Sequence, residues 1–255
     1  GFLKLNTFNL PDSTIEKGSD YFNTVLYTGN GGTQSITGVG WKPDLVVGKG
    51  RTYAGSGFVW YDAVRGATKW IGSYLTSAET TVTGVTSFDA DGFSVGSSVV
   101  QNLNASPYVA WNWLASNTTA TNSAGANGAT IASTYSVNTT SGFSIVSYTG
   151  NGTSGATVGH GLGVAPSMVI CKNRTTGTGS GAWPVWHSSL SSVTSYLFLN
   201  TTAAQASGNN NFTAAPTSTV LNLGTSDTNN SATMIAYCFA EVPGYSAFGS
   251  YTGNG

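Results

Sequence analysis

The chain has 255 residues, of which only 7% are charged and 40% hydrophobic, with a formal net charge of −1. That balance can bury a core, but it supplies no basic field for nucleic acid, and no run of about 18 apolar residues offers a membrane-spanning helix. The 34 glycines and the abundant Ser, Thr and Asn interrupt the sequence too often for long helices, so the expected class is all-β.

In chain order, residues 1–20 read as an N-terminal connector, in which Ser13-Thr14-Ile15-Glu16 has the spacing of a capping box and hints at a short helix. Thr24 to Tyr27 then forms a strand entering the pentapeptide Tyr27-Thr28-Gly29-Asn30-Gly31, whose glycines suit a tight turn. The apolar run Leu45 to Val47 follows a turn at Gly40 to Pro43 and ends in Lys49-Gly50-Arg51. Phe58 to Asp62 is a further strand, Thr76 to Glu79 opens a possible helical turn, and Phe88 to Val95 is a hairpin turning at Asp91-Gly92. Val109 to Trp113 is apolar at four of its five positions, which predicts a central strand covered on both faces.

Ser116 to Gly128 has no apolar periodicity and reads as a flexible linker or long surface loop, so residues 116–140 comprise a linker and a strand leading onward. After it the pattern repeats. Tyr148 to Gly152 restates the pentapeptide, Met168 to Cys171 with Lys172 and Arg174 restates the apolar run and its basic ending, and Trp183 to His187 matches Phe58 to Asp62. Met234 to Phe239 parallels Tyr108 to Trp113. This yields two antiparallel β-sandwich, jelly-roll-like modules of about a hundred residues each, at 21–115 and 141–244. A third pentapeptide at Tyr251 to Gly255 makes 245–255 the expected start of another repeat, and the chain a piece of something longer.

The pentapeptide, the Gly40-to-Arg51 block, the Val59-to-Gly66 segment, the Asp91-Gly92-Phe93 hairpin and the Tyr108-to-Trp113 strand together resemble a known family. They are similar to the tandem, concanavalin A-like β-sandwich repeats of tail-fibre and other virion-surface proteins of marine bacteriophages. The resemblance implies a non-enzymatic structural or adhesive unit on the virion surface. It further implies a homo-oligomer, a trimer by analogy with phage fibres, surrounded by other virion proteins and presented to host glycans. The alternatives are a carbohydrate-binding module of a secreted or cell-surface bacterial protein, and a capsid-decorating protein.

The chemistry-bearing residues are read mainly as structural. Asp62 and Arg65, three apart, suit a local salt bridge more than a catalytic pair. Asp89 with Asp91 offers too few ligands for calcium, and neither a metal site nor a cofactor is expected. His160 and His187 have no acidic partner nearby in sequence, and no nucleophile elbow accompanies them. Cys171 and Cys238 are either buried thiols or a disulfide. Lys49/Arg51 and Lys172/Arg174 end as solvated strand termini or as bridges to a neighbouring module. Trp41, Tyr53, Trp70 and Trp183 sit beside Gly-, Ser- and Thr-rich loops and are the expected glycan or partner contacts, through stacking on sugar rings. Trp60, Trp111, Trp113 and Trp186 are assigned to the core.

Overall fold

A computed structural model describes residues 13–52, 55–175 and 180–254, and within them the protein is all-β with antiparallel sheets. In chain order the first half contains β1 (Phe22–Thr28), β2 (Gln34–Thr37), β3 (Leu45–Gly50), β4 (Val59–Asp62), β5 (Lys69–Gly72), β6 (Thr80–Thr81), β7 (Val85–Asp89), β8 (Gly92–Val95), the single-turn α1 (Val99–Asn102) and β9 (Pro107–Trp113). The larger sheet runs β1-β9-β3-β4-β5-β6, and β2-β8-β7 form a small second sheet over it.

The second half follows the same route with β10 (Ala120–Asn122), β11 (Ser133–Asn138), β12 (Phe143–Thr149), β13 (Thr157–Gly159), β14 (Met168–Asn173), β15 (Pro184–His187), β16 (Ser195–Phe198), β17 (Ala206–Ser207), β18 (Val220–Asn222) and β19 (Thr233–Phe239). Its large sheet is β10-β11-β12-β19-β14-β15-β16-β17, with β13-β18 as the small layer. From β12 to β17 this is the order seen in the first sheet, and the registers agree: Leu45 faces Trp113 as Met168 faces Phe239.

Three hydrophobic clusters separate four layers. Strand periodicity explains the sorting, because successive residues point to opposite faces. Val46 and Ala110 enter the core beneath the small sheet of the first half, with Phe93 and Val95. Leu45 and Val47 point the other way and meet Ile145, Ile170, Ile235 and Tyr237, so the two large sheets pack on each other. Beyond the second large sheet, Val169, Cys171, Met234 and Cys238 pack with Leu221 and Leu223. The two modules are therefore not beads on a string.

The stretch expected as a flexible linker is built into this block. β10 and β11 extend the second large sheet beyond β12, and Asp44, fully buried, ties the segment to the first half. Its carboxylate accepts from Ala115 N at 2.7 Å, Asn117 N at 3.1 Å and Ser136 Oγ at 3.2 Å.

The pentapeptide is a latch, formed twice. Tyr27 Oη donates to Gln101 O, and Asn30 exchanges bonds with Asn102: its N–H reaches Asn102 Oδ1 at 2.9 Å, and Asn102 Nδ2 reaches Asn30 Oδ1 at 3.0 Å. In the second half Tyr148 Oη donates to Thr228 O, and Asn151 and Asn229 repeat the exchange at 2.7 and 3.0 Å. A Cβ on Gly29 would lie 2.2 Å from Leu103 O, and Gly31 has φ +74°, so both glycines are required. The third copy has no such partner among the described residues: Tyr251 is exposed and no strand forms there.

Other expectations are corrected. Neither Ser13–Glu16 nor Thr76–Glu79 is helical. Instead a 3-10 turn spans Gly18–Asp20, and among the described residues the one α-helix is the short α1 before β9. The hairpin loop is Ala90-Asp91, with Gly92 already paired to Asp89. For the cysteines the buried-thiol reading holds: Cys171 and Cys238 are free and buried, and burial pushes the Cys171 thiol up to about 12.

Candidate functional site

A cleft of about 970 Å³ opens between the first sheet and the Leu199–Thr202 loop of the second half. β9 supplies Trp111 and Trp113 on one face while Tyr108, Ala110 and Asn112 are buried on the other. Phe58 stacks on Trp111 with centroids 5.7 Å apart, and Lys49 Nζ lies 5.0 Å from the Phe58 ring while donating to Ser56 O. Trp60 forms the floor, held by Tyr237 at 4.9 Å and Trp183 at 5.5 Å. The opposite wall is polar: Asn200, Thr201 and Thr202 face the aromatics, and Asn200 is oriented by accepting from Trp183 N at 2.9 Å.

Among the described residues, no carboxylate, imidazole, thiol or amine lines this cleft. What these lining residues offer is aromatic faces and neutral hydrogen-bonding groups. Among the described residues no group of three or more His, Cys, Asp or Glu side chains gathers where a metal ion could be held.

The charged residues instead join the two halves beside the cleft. Asp62 and Arg65 form the expected local ion pair, but it is fully buried and Tyr237 Oη donates to Asp62 at 2.8 Å across the sheet interface. Burial opposes the Arg65 charge, yet Asp62, Tyr237 and Glu79 outweigh it and raise its pKa. Glu79 accepts from Arg65 at 3.0 Å and from Arg174 at 2.9 Å; burial raises its pKa, but the two guanidinium groups bring it below the ordinary range. Lys172 Nζ donates to Thr76 O and Gly181 O over the Trp183 ring, and burial lowers its pKa to about 8. Thus Lys172 and Arg174 bridge the halves, whereas Lys49 bonds within its own half.

The family described as a domain of unknown function, DUF7483, matches residues 17–255. The chain belongs to that family. No curated protein and no solved structure matches it.

The aromatic residues singled out from the sequence are not those of the cleft. Trp183 is fully buried between the sheets and donates Nε1–H to Leu75 O, so no external ligand reaches it. Trp41 packs on the first core and donates to Ser19 O at 2.9 Å, and Trp70 packs on the same core. Tyr53 lies outside the described residues. Trp111 and Trp113, assigned to the core, do pack as partly buried rings against the cluster between the large sheets, and they line the cleft as well. The missed signal was Asn112 between them: in the order Trp-Asn-Trp, the polar residue takes the inner face and donates to Asn23 O and Ala110 O.

The remaining candidates have structural roles. Asp91 accepts from Gly38 N and Gly40 N, while Asp89 accepts from the Ser87 and Ser94 hydroxyls, so the two carboxylates serve different turns. His160 is fully buried with its ring bonded to Thr217 O and Leu162 N, and His187 packs beside Phe248.

Proposed function

We propose that this chain is a non-enzymatic virion-surface protein, a segment of a phage tail fibre or head fibre, and that its aromatic cleft holds a sugar of the host surface. The composition of the cleft carries the reading. Phe58, Trp111 and Trp113 offer apolar faces to the C–H side of a sugar ring, and Ser73, Asn200, Thr201 and Thr202 offer hydroxyl and amide partners to its rim. The absence of charge on the lining residues suits a neutral sugar.

The virion setting rests on the repeat landmarks and their resemblance to phage fibre modules. Homotrimeric assembly among other virion proteins would multiply a weak single-site affinity through effective concentration. A secreted or cell-surface carbohydrate-binding protein would use the same cleft, and a capsid-decorating protein differs only in position on the particle.

A glycan array probed with the wild-type chain and Trp111→Ala tests the site: selective binding is expected, lost in the variant. Silence of the wild type across the array, or binding that survives Trp111→Ala, defeats the adhesive reading. Labelling of intact particles with an antibody to the chain tests the setting, and absence of signal from tail and head alike counts against it.

A further inference from the structure

Among the described residues each large sheet has two outer strands, and three of these four edges are short: β6 and β17 have two residues each and β10 has three. The fourth, β1, has seven. A long bare edge is a template for another strand, and proteins shield such edges with charge, proline, bulges or covering segments. Phe22–Thr28 contains no charged residue and no proline, it pairs with β9 without a bulge, and among the described residues no strand covers its outer side.

The bonds at the two ends of the β1–β9 pair fix which groups that edge presents. Leu114 N donates to Tyr21 O and Gly29 N donates to Ser106 O, so by the alternation of an antiparallel ladder Asn23, Val25 and Tyr27 bond to β9. Phe22, Thr24, Leu26 and Thr28 therefore turn their backbone groups outward, and the last three are exposed. Side chains meet only two of these groups: Thr24 N donates to Asn23 Oδ1, and Thr28 O accepts from Gln34 Nε2. The second half shows the same edge filled. There β11 lies antiparallel on β12, with Ser136 opposite Ile145 and Thr134 opposite Ser147, the residues that match Thr24 and Leu26 when the pentapeptides are aligned. The residue beneath a covering strand is Ser147, whereas its bare counterpart Leu26 is apolar and 64% exposed.

We infer that β1 is an interaction surface for a second copy of this chain, whose own β1 joins it antiparallel about a two-fold axis at Val25. The strand itself specifies this occupant. A two-fold contact needs a patch complementary to itself, and in this register every outward residue meets an outward residue: Thr24 stands opposite Leu26 of the second copy, and Phe22 opposite Thr28. All seven residues pair, no charges oppose one another, and the two Leu26 side chains become diagonal neighbours on one face. Paired residues share a face, and Trp111 pairs with Thr24, so the Trp111 walls of both copies stand on the same side of a sheet of doubled width. Combined with a three-fold contact elsewhere on the surface, this two-fold joins trimers in pairs.

Light scattering after size exclusion, over a concentration series of the full chain, is expected to give an even number of chains. Leu26→Lys, which sets two like charges together at the contact, is expected to halve that mass while cooperative melting is retained, and Thr24→Lys is expected to do the same. Cysteines read the register. A mixture of Thr24→Cys chains with Leu26→Cys chains is expected to crosslink under mild oxidation, because opposite residues have Cα atoms about 5.5 Å apart, and neither variant alone, because like residues are diagonal at about 7–8 Å. A monomer at every concentration, an odd-numbered assembly such as a trimer, an even-numbered mass that both lysine variants keep, a mixture that does not crosslink, or single variants that crosslink as fast as the mixture would each overturn the inference. A trimer leaves the fibre analogy standing and glycan binding by a monomer leaves the cleft standing, so the readings fail separately.

Discussion

Asn102 and Asn229 show how much one side chain holds. Each accepts from the backbone of the pentapeptide and donates back to its Asn, so truncation strands buried groups on both sides. Asn102→Ala is expected to cost about 2–3 kcal/mol in urea unfolding, more than one net hydrogen bond, because unpaired partners remain. His160 makes a second prediction at this scale. Its ring accepts at Nδ1 from Leu162 N and bonds Thr217 O through Nε2, an arrangement that needs the neutral ring. Burial lowers its pKa below the ordinary 6.5, so the unfolded chain binds the proton more readily. Stability is therefore full above about pH 6.5 and falls as pH drops below it. Chemical denaturation between pH 7 and 5 is expected to show this slope in the wild type and not in His160→Gln. The recurring Tyr-Thr-Gly-Asn-Gly marked a turn in the sequence, but its Asn partner lies 72 residues away in the first half and had no signature of its own.

At the level of strands, period and repeat were legible and facing was not. β3, β14 and β19 are central strands as their apolar runs predicted, and the matched landmarks fall at matched registers. β9 is also central in its sheet, yet Trp111 and Trp113 line a cleft on one of its faces, opposite the Leu199–Thr202 loop of the second half. Sequence reports which residues alternate, while exposure depends on what another sheet does. The pair Trp111 and Trp183 separates the two roles. Trp183→Ala is expected to destabilise the fold by about 3–5 kcal/mol, as for a large buried aromatic. Trp111→Ala is expected to remain within about 2 kcal/mol of wild type by thermal melting, since its ring is only half buried.

For the whole molecule, packing of the two large sheets joins what the composition suggested was separable. Ser116 to Gly128 looked like a linker because low-complexity polar sequence usually solvates. Here its continuation pairs as β11, and Asp44 fixes its start. Calorimetry is expected to show one unfolding transition, and two resolved transitions would contradict a shared core. Arg65→Ala, which leaves Asp62 and Glu79 without their buried partner, is expected to cost about 3–5 kcal/mol without dividing that transition.

The two latches have a consequence for how the chain finds its fold. Tyr27–Gly31 and Tyr148–Gly152 are identical in sequence and nearly identical in bonding, so neither carries an address for its own Asn. Correct pairing must be specified by the strands on either side, and exchange of the first strand between halves, or between molecules, is the error this chain is most exposed to. Refolding at high concentration should therefore produce swapped dimers before it produces amorphous aggregate.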